Sequence, residues 1–137
     1  SFHHIPFDLM KKALEEIKRV LKPNGLVYIS EPLFKGEQNE LISMFHDEKQ
    51  VRIDAFEHIK EAVEIEQFKL FRELFFQTEV IYENFEDFKT RHMNLSYNDN
   101  NITKELEEKI KNKFNSFNDG KRTSFMKPFR VDILQKI

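Results

Sequence analysis

Residues 7 to 29 constrain the fold more than any other part of this chain. Phe7, Met10, Leu14, Ile17 and Leu21 recur at spacings of three and four, while Lys11, Lys12, Glu15, Lys18 and Arg19 take the other faces, the pattern of an amphipathic helix. Pro6 suits its first turn, where no intrahelical N–H is needed, and Glu15 and Arg19 have the i,i+4 spacing of a surface pair. Lys22 puts a cation near the negative end of the helix, and Pro23, Asn24 and Gly25 reverse the chain. Leu26, Val27, Tyr28 and Ile29 follow at once, a short apolar run that predicts a strand buried on both faces. Helix, tight turn and buried strand form the second half of a βαβ unit, which places the chain in the α/β class.

Further along, residues 37 to 68 hold no proline or glycine, and Leu41, Met44, Phe45, Val51, Ala55, Ile59, Ala62 and Val63 keep a helical period. Two helices broken near Asp47 are predicted. Between about Leu70 and Tyr82 the period drops to two, with Leu74, Phe76, Thr78, Val80 and Tyr82 on one face of a long strand. Asn84 is an N-cap for a helix running to about Leu95, and residues 97 to 101 form a polar loop. Thr103 to Phe117 is a helix with Leu106, Ile110, Phe114 and Phe117 inward and Glu105–Lys109 and Glu107–Lys111 pairs outward, ended by Asp119 and Gly120. Pro128 to Ile133 alternates as a closing strand. Residues 61 to 100 carry a net charge of −5 and residues 101 to 137 a net +4, so these stretches either face each other or form two solvated surfaces.

With 137 residues, one domain with a single core is expected. A net charge of −2 removes the argument for a nucleic-acid partner. The absence of cysteine excludes disulfides, Cys nucleophiles and iron–sulfur clusters and is compatible with a reducing cytoplasm, the expected location. No apolar run approaches a membrane span. Only three glycines occur, far apart, so no glycine-rich loop is present to cradle a phosphate. The chain starts at Ser1, inside an apolar run, and reads like the middle of a longer protein.

The stretch from Ser1 to Pro32, and EIKRVLKPNGLVYISEP within it, resembles the second half of the core of a class I S-adenosylmethionine-dependent methyltransferase. In that family the fourth strand ends in a segment like Ser1 to Ile5, a helix follows, and its end leads into the fifth strand. Arg19, Leu21, Lys22, Pro23 and Gly25 take the places of that helix end here. The resemblance implies the C-terminal portion of a Rossmann-like fold, helix-rich with about three strands in a mixed sheet whose last strand is antiparallel. Leu70 to Tyr82 would be the sixth strand and Phe129 to Leu134 the seventh. It divides residues 1–137, a single incomplete domain, into the end of the core (1–32), a helical insertion or lid (33–69) and the closing strands and helices (70–137). The family's glycine-rich loop and its ribose-binding acidic residue have no counterpart in this chain. The expectation is a C-terminal fragment that by itself binds the cofactor poorly or not at all, and whose open fifth-strand edge seeks a partner, such as a second copy.

By the same resemblance, Ser1, Phe2 and His3 match the segment that touches the cofactor in the family, or are a frayed terminus. Adjacent His3 and His4 would point to different sides of a strand and share no ligand spacing with His46, His58 or His92, so no metal is expected. Glu31 ends the fifth strand where the family's substrate cavity opens, able to orient an amine or act as a base. Phe34, Met44, Phe45, His46 and Arg52 lie in the insertion after it, as a substrate lid or as helix packing; Glu31, Phe34, His46 and Arg52 are the substrate-binding candidates. Phe68, Phe71, Phe75 and Phe76 have the look of a hydrophobic binding surface, but at these spacings they are expected in the core.

Two further functions compete with methyl transfer from S-adenosylmethionine to a small-molecule nucleophile. One is a noncatalytic helical interaction module, suggested by the long amphipathic helices. The other is a degenerate methyltransferase-like subunit that pairs with a separate catalytic chain.

Overall fold

The helical period that opens the chain becomes helix α1, Phe7–Val20, in a computed structural model that describes residues 2–94, 102–118 and 120–137. Its end is fixed from several sides. The Leu21 N–H donates to the Ile17 carbonyl, the Gly25 N–H to the Lys22 carbonyl at 2.8 Å, and Asn24 takes a φ of 60° in the reversal. Lys136 Nζ donates to the Leu21 carbonyl and Gln135 Nε2 to that of Asn24, so orphan carbonyls past the helix end are met by the last strand. On α1 the Arg19 guanidinium reaches Glu16, three residues back, rather than Glu15.

Strand β1 (Leu26–Pro32) follows the turn. Helices α2 (Glu37–Ser43) and α3 (Lys49–Glu64) occupy the region predicted to hold two helices. Then come the long strand β2 (Phe68–Tyr82), the short helix α4 (Phe85–Phe88), helix α5 (Lys104–Ser116) and strand β3 (Thr123–Lys136). The Asn84 side chain accepts from the Asp87 N–H at 2.9 Å, as an N-cap should. The expected helix to Leu95 does not continue regularly: after α4 the backbone widens into a π-helical turn, Lys89–Met93, closed by the Asn94 N–H on the Lys89 carbonyl. Leu95, the predicted loop at 97 to 101 and Asp119 lie outside the described residues.

The sheet order is β1-β3-β2, so the last strand lies between the other two. It pairs antiparallel with β1, Leu26 opposite Gln135 through Pro32 opposite Phe129. On its other side Phe76 stacks on Phe129 with 5.1 Å between ring centroids, and Glu73 lies beside Asp132, numbers that run in opposite directions as antiparallel strands require. The fold class is α/β with a three-stranded antiparallel sheet, the last strand running against the other two as expected.

The described residues divide into two compact units. The first comprises Ser1–Phe34, Lys49–Phe76 and Pro128–Ile137, the second Lys35–Glu48 and Gln77–Lys127. In the first, Met10 and Leu14 of α1 and Ala55, Ile59 and Ala62 of α3 pack with Phe2, Ile29, Phe68 and Leu134. A fully buried Leu contributes about 1.5–3 kcal/mol relative to leaving it exposed. In the second, Leu41, Phe45, Tyr82, Phe85, Phe88, Ile110, Phe114 and Phe125 form an aromatic core, many of its rings edge to face. Ile110 and Phe114 point inward from α5 as predicted; Glu105 pairs with Lys109, whereas Glu107 reaches Lys89 at 2.7 Å. Arg122–Glu83 links the basic stretch to the acidic one, while Lys89–Glu107 joins them with the opposite polarity.

Two expectations of burial are corrected. β1 is not covered on both faces: Ile29 and Glu31 are buried, but Leu26 is 48% and Tyr28 60% exposed, because the packed helices cover one face alone. Of the phenylalanines assigned to the core, only Phe68 is buried; Phe71, Phe75 and Phe76 lie exposed on β2, an edge strand of the sheet.

Candidate functional site

In open α/β sheets, ligands bind outside the carboxyl ends of the strands, and the carboxyl end of β1 opens on a cavity of about 130 Å³. Its wall is built from three pieces of the first unit: Glu31 and Pro32 ending β1 with Leu33 and Phe34 after it, Arg52, Ile53 and Phe56 on α3, and Arg130 on β3. Register explains Arg130, which lies directly across the ladder from Glu31. Helical spacing explains the α3 set, since Arg52 and Phe56 are one turn apart.

Each charged group is held. The Glu31 side chain is buried, and its Oε1 accepts the backbone N–H of His3 at 3.1 Å while its other oxygen meets the His3 ring Nδ1. Arg130 donates from Nε to Asp132 at 2.9 Å, and its guanidinium carbon stands 3.8 Å from the centroid of the Phe56 ring, a cation–π contact. Partial burial raises the pKa of Glu73, helped by the neighbouring Asp132 carboxylate and opposed by Arg130. Arg52 donates from Nη1 to the Leu33 carbonyl at 3.1 Å, with its guanidinium 6.0 Å from the Phe34 ring. A pocket with apolar and aromatic walls and a few fixed polar groups has the composition of a small-molecule site.

Of the predicted substrate residues, Glu31, Phe34 and Arg52 are thus brought to one cavity. His46 belongs to the second unit, where its Nε2 lies 3.7 Å from Glu48, and it is not among the residues lining this cavity. Of the predicted cofactor residues, Ser1 lies outside the described residues, whereas Phe2 and His3 are buried in a 3-10 turn, Phe2–His4, instead of the strand end expected there. That turn also corrects the reasoning about the two histidines. Their rings do not diverge as strand neighbours would but lie 4.2 Å apart.

Sequence reasoning missed Phe56 and Arg130. The first had a signal, its i+4 spacing from Arg52; the second needed strand register. It also missed a buried network in the second unit. Gln38 Nε2 donates to the Tyr82 hydroxyl at 3.0 Å, and that hydroxyl lies 2.6 Å from His92 Nε2. Burial, then Arg91 and Lys127, hold the His92 pKa down to about 4, with Asp87 opposing them. The ring is therefore neutral near pH 7 and Tyr82 donates to it. Burial also raises the Tyr82 pKa, which keeps the phenol protonated.

No protein-family profile and no curated protein sequence matches this chain. Among solved structures, a crystal structure of a candidate methyltransferase from Bacillus halodurans is similar to it, with a TM-score of 0.54 at 18% sequence identity. The likeness covers 99% of this chain and 61% of that one, so this chain spans about three fifths of its length. At such identity the likeness concerns the fold.

Proposed function

We propose that the chain is the C-terminal part of an S-adenosylmethionine-dependent methyltransferase whose acceptor is a small molecule held at the carboxyl end of β1. The observation that carries this reading is the sheet order β1-β3-β2, with the closing strand antiparallel between the other two and the Pro23-Asn24-Gly25 turn leading into β1. Nearly the whole chain superposes on a little over half of a candidate methyltransferase, which supports both the family and the idea of a part.

The described residues do not by themselves fit the cofactor. The N–H and ring of His3 are directed to Glu31, Phe2 is packed in the core, and the three glycines of the sequence are scattered. A glycine-rich turn against a helix N-terminus is the usual seat for such a ligand; in this reading it belongs to an upstream half. What this chain supplies is the acceptor's place: Arg52 and Arg130 fix charge, Phe34 and Phe56 exclude water, and the strand end sets position. Orientation of that kind accounts for a large part of the barrier lowering in a bimolecular transfer.

Calorimetric titration of S-adenosylhomocysteine tests the proposal. Binding is expected in a chain extended upstream through the glycine-rich loop, and not in the 137-residue chain. Tight binding by the short chain, or none by the long one, would overturn it. Binding that appears only when a separate glycine-rich chain is added would favour the degenerate subunit instead.

A further inference from the structure

We propose that the cavity at the end of β1 binds the carboxylate of a small aryl or acyl acid, so that the methyl acceptor is an organic acid; the assignment to an acceptor rests on the methyltransferase reading. The charge of the wall points this way. Arg52 and Arg130 line the cavity against one carboxylate, Glu31, both of whose oxygens are engaged by His3. Arg130 is held in place by the Asp132 carboxylate, which offsets part of its charge, and by the face of Phe56, and is 9% exposed, so it presents its remaining guanidinium N–H groups as fixed donors. Arg52 is steadied by the Leu33 carbonyl. A guanidinium presents planar donors that match a carboxylate, and this geometry distinguishes it from a lysine point charge.

The rest of the lining selects the body of the ligand. Pro32, Leu33, Phe34, Ile53 and Phe56 offer apolar and aromatic surface, which inorganic anions do not use. A volume of about 130 Å³ is close to the roughly 150 Å³ of an apolar protein cavity that admits benzene, room for one ring or a short acyl chain. A planar acid with its carboxylate on the arginines and its body against the phenylalanines satisfies both parts of the wall.

The probe is benzoate, titrated into the 137-residue chain without cofactor and followed by amide chemical shifts, beside benzamide, benzylamine and inorganic phosphate. Benzoate is expected to shift residues of the cavity wall and to bind at least tenfold more tightly than each of the other three. Arg52→Gln is expected to weaken benzoate about tenfold and Arg52→Lys to fall between, with melting temperatures close to the parent. Equal binding of benzamide or phosphate, preferred binding of benzylamine, or shifts confined to residues outside the wall would overturn the proposal. The comparison of the four probes uses the unaltered protein, so it stands even if a variant misfolds. The readout is independent of S-adenosylhomocysteine, so failure here is distinct from failure of the methyltransferase reading.

Discussion

At the scale of single residues, the Tyr82–His92 pair joins two side chains of the second unit at 2.6 Å. A neutral His92 accepts from Tyr82, and the folded pKa of about 4 lies below the unfolded value of 6.5. Between these values the unfolded chain binds the extra proton, so stability is intact above about pH 6.5 and declines as pH falls toward 4. The loss should be roughly 2 kcal/mol after allowing for solvent at the partly exposed ring. Chemical denaturation at pH 7.5 and 4.5 reads it, and His92→Gln should flatten the difference. Tyr82→Phe should cost about 1–3 kcal/mol at pH 7.5, because Gln38 and His92 lose their shared partner inside a packed core. A second residue-scale expectation concerns the turn after α1. A Cβ on Gly25 would stand 2.8 Å from the Lys22 carbonyl oxygen, a backbone atom that cannot step aside. Gly25→Ala should therefore destabilise by more than 1 kcal/mol, as overpacking does, whereas Asn24→Gly, at a φ of 60°, should be tolerated. Thermal melts of the two variants separate these outcomes.

At the scale of elements, the legible parts were those whose signals are local. α1, its turn and β1 could be read because apolar period, proline, asparagine and glycine all lie within 23 consecutive residues. The same holds for α3 and α5, each with a clear face. Burial on β1 and β2 was not legible, since alternation tells which side chains share a face but not whether anything covers it. Tyr28 and Phe75 look like core residues in sequence and are exposed because of what packs, or does not pack, over their strands. The site divides the same way. Glu31, Phe34 and Arg52 came from what the family resemblance implies at and after the end of the fifth strand, whereas Arg130 depended on the pairing of residues about one hundred positions apart. The contrast in burial gives an element-scale prediction. Leu134→Ala, at 0% exposure, should cost about 2–5 kcal/mol. Tyr28→Lys should change the stability of this chain by no more than about 0.5 kcal/mol. Denaturant midpoints of both would show whether the outer face of β1 is uncovered in solution.

At the scale of the whole molecule, β1 ends the sheet on one side and pairs with β3 alone among the described strands. An edge strand with an apolar outer face is a template for further pairing. A second copy of the chain is the partner the sequence suggested for this edge; the methyltransferase reading commits instead to an upstream strand of the complete protein. Among the described residues no helix is long and apolar enough to cross a membrane. The most direct measurement is amide hydrogen exchange along β1, made on the 137-residue chain at a concentration where sedimentation shows a monomer and on the chain extended upstream. The account predicts that β1 amides pointing away from β3 exchange quickly in the short chain and become protected at least a hundredfold in the long one. Equal exchange in both would mean that no upstream strand completes this sheet, and would contradict the account at its centre.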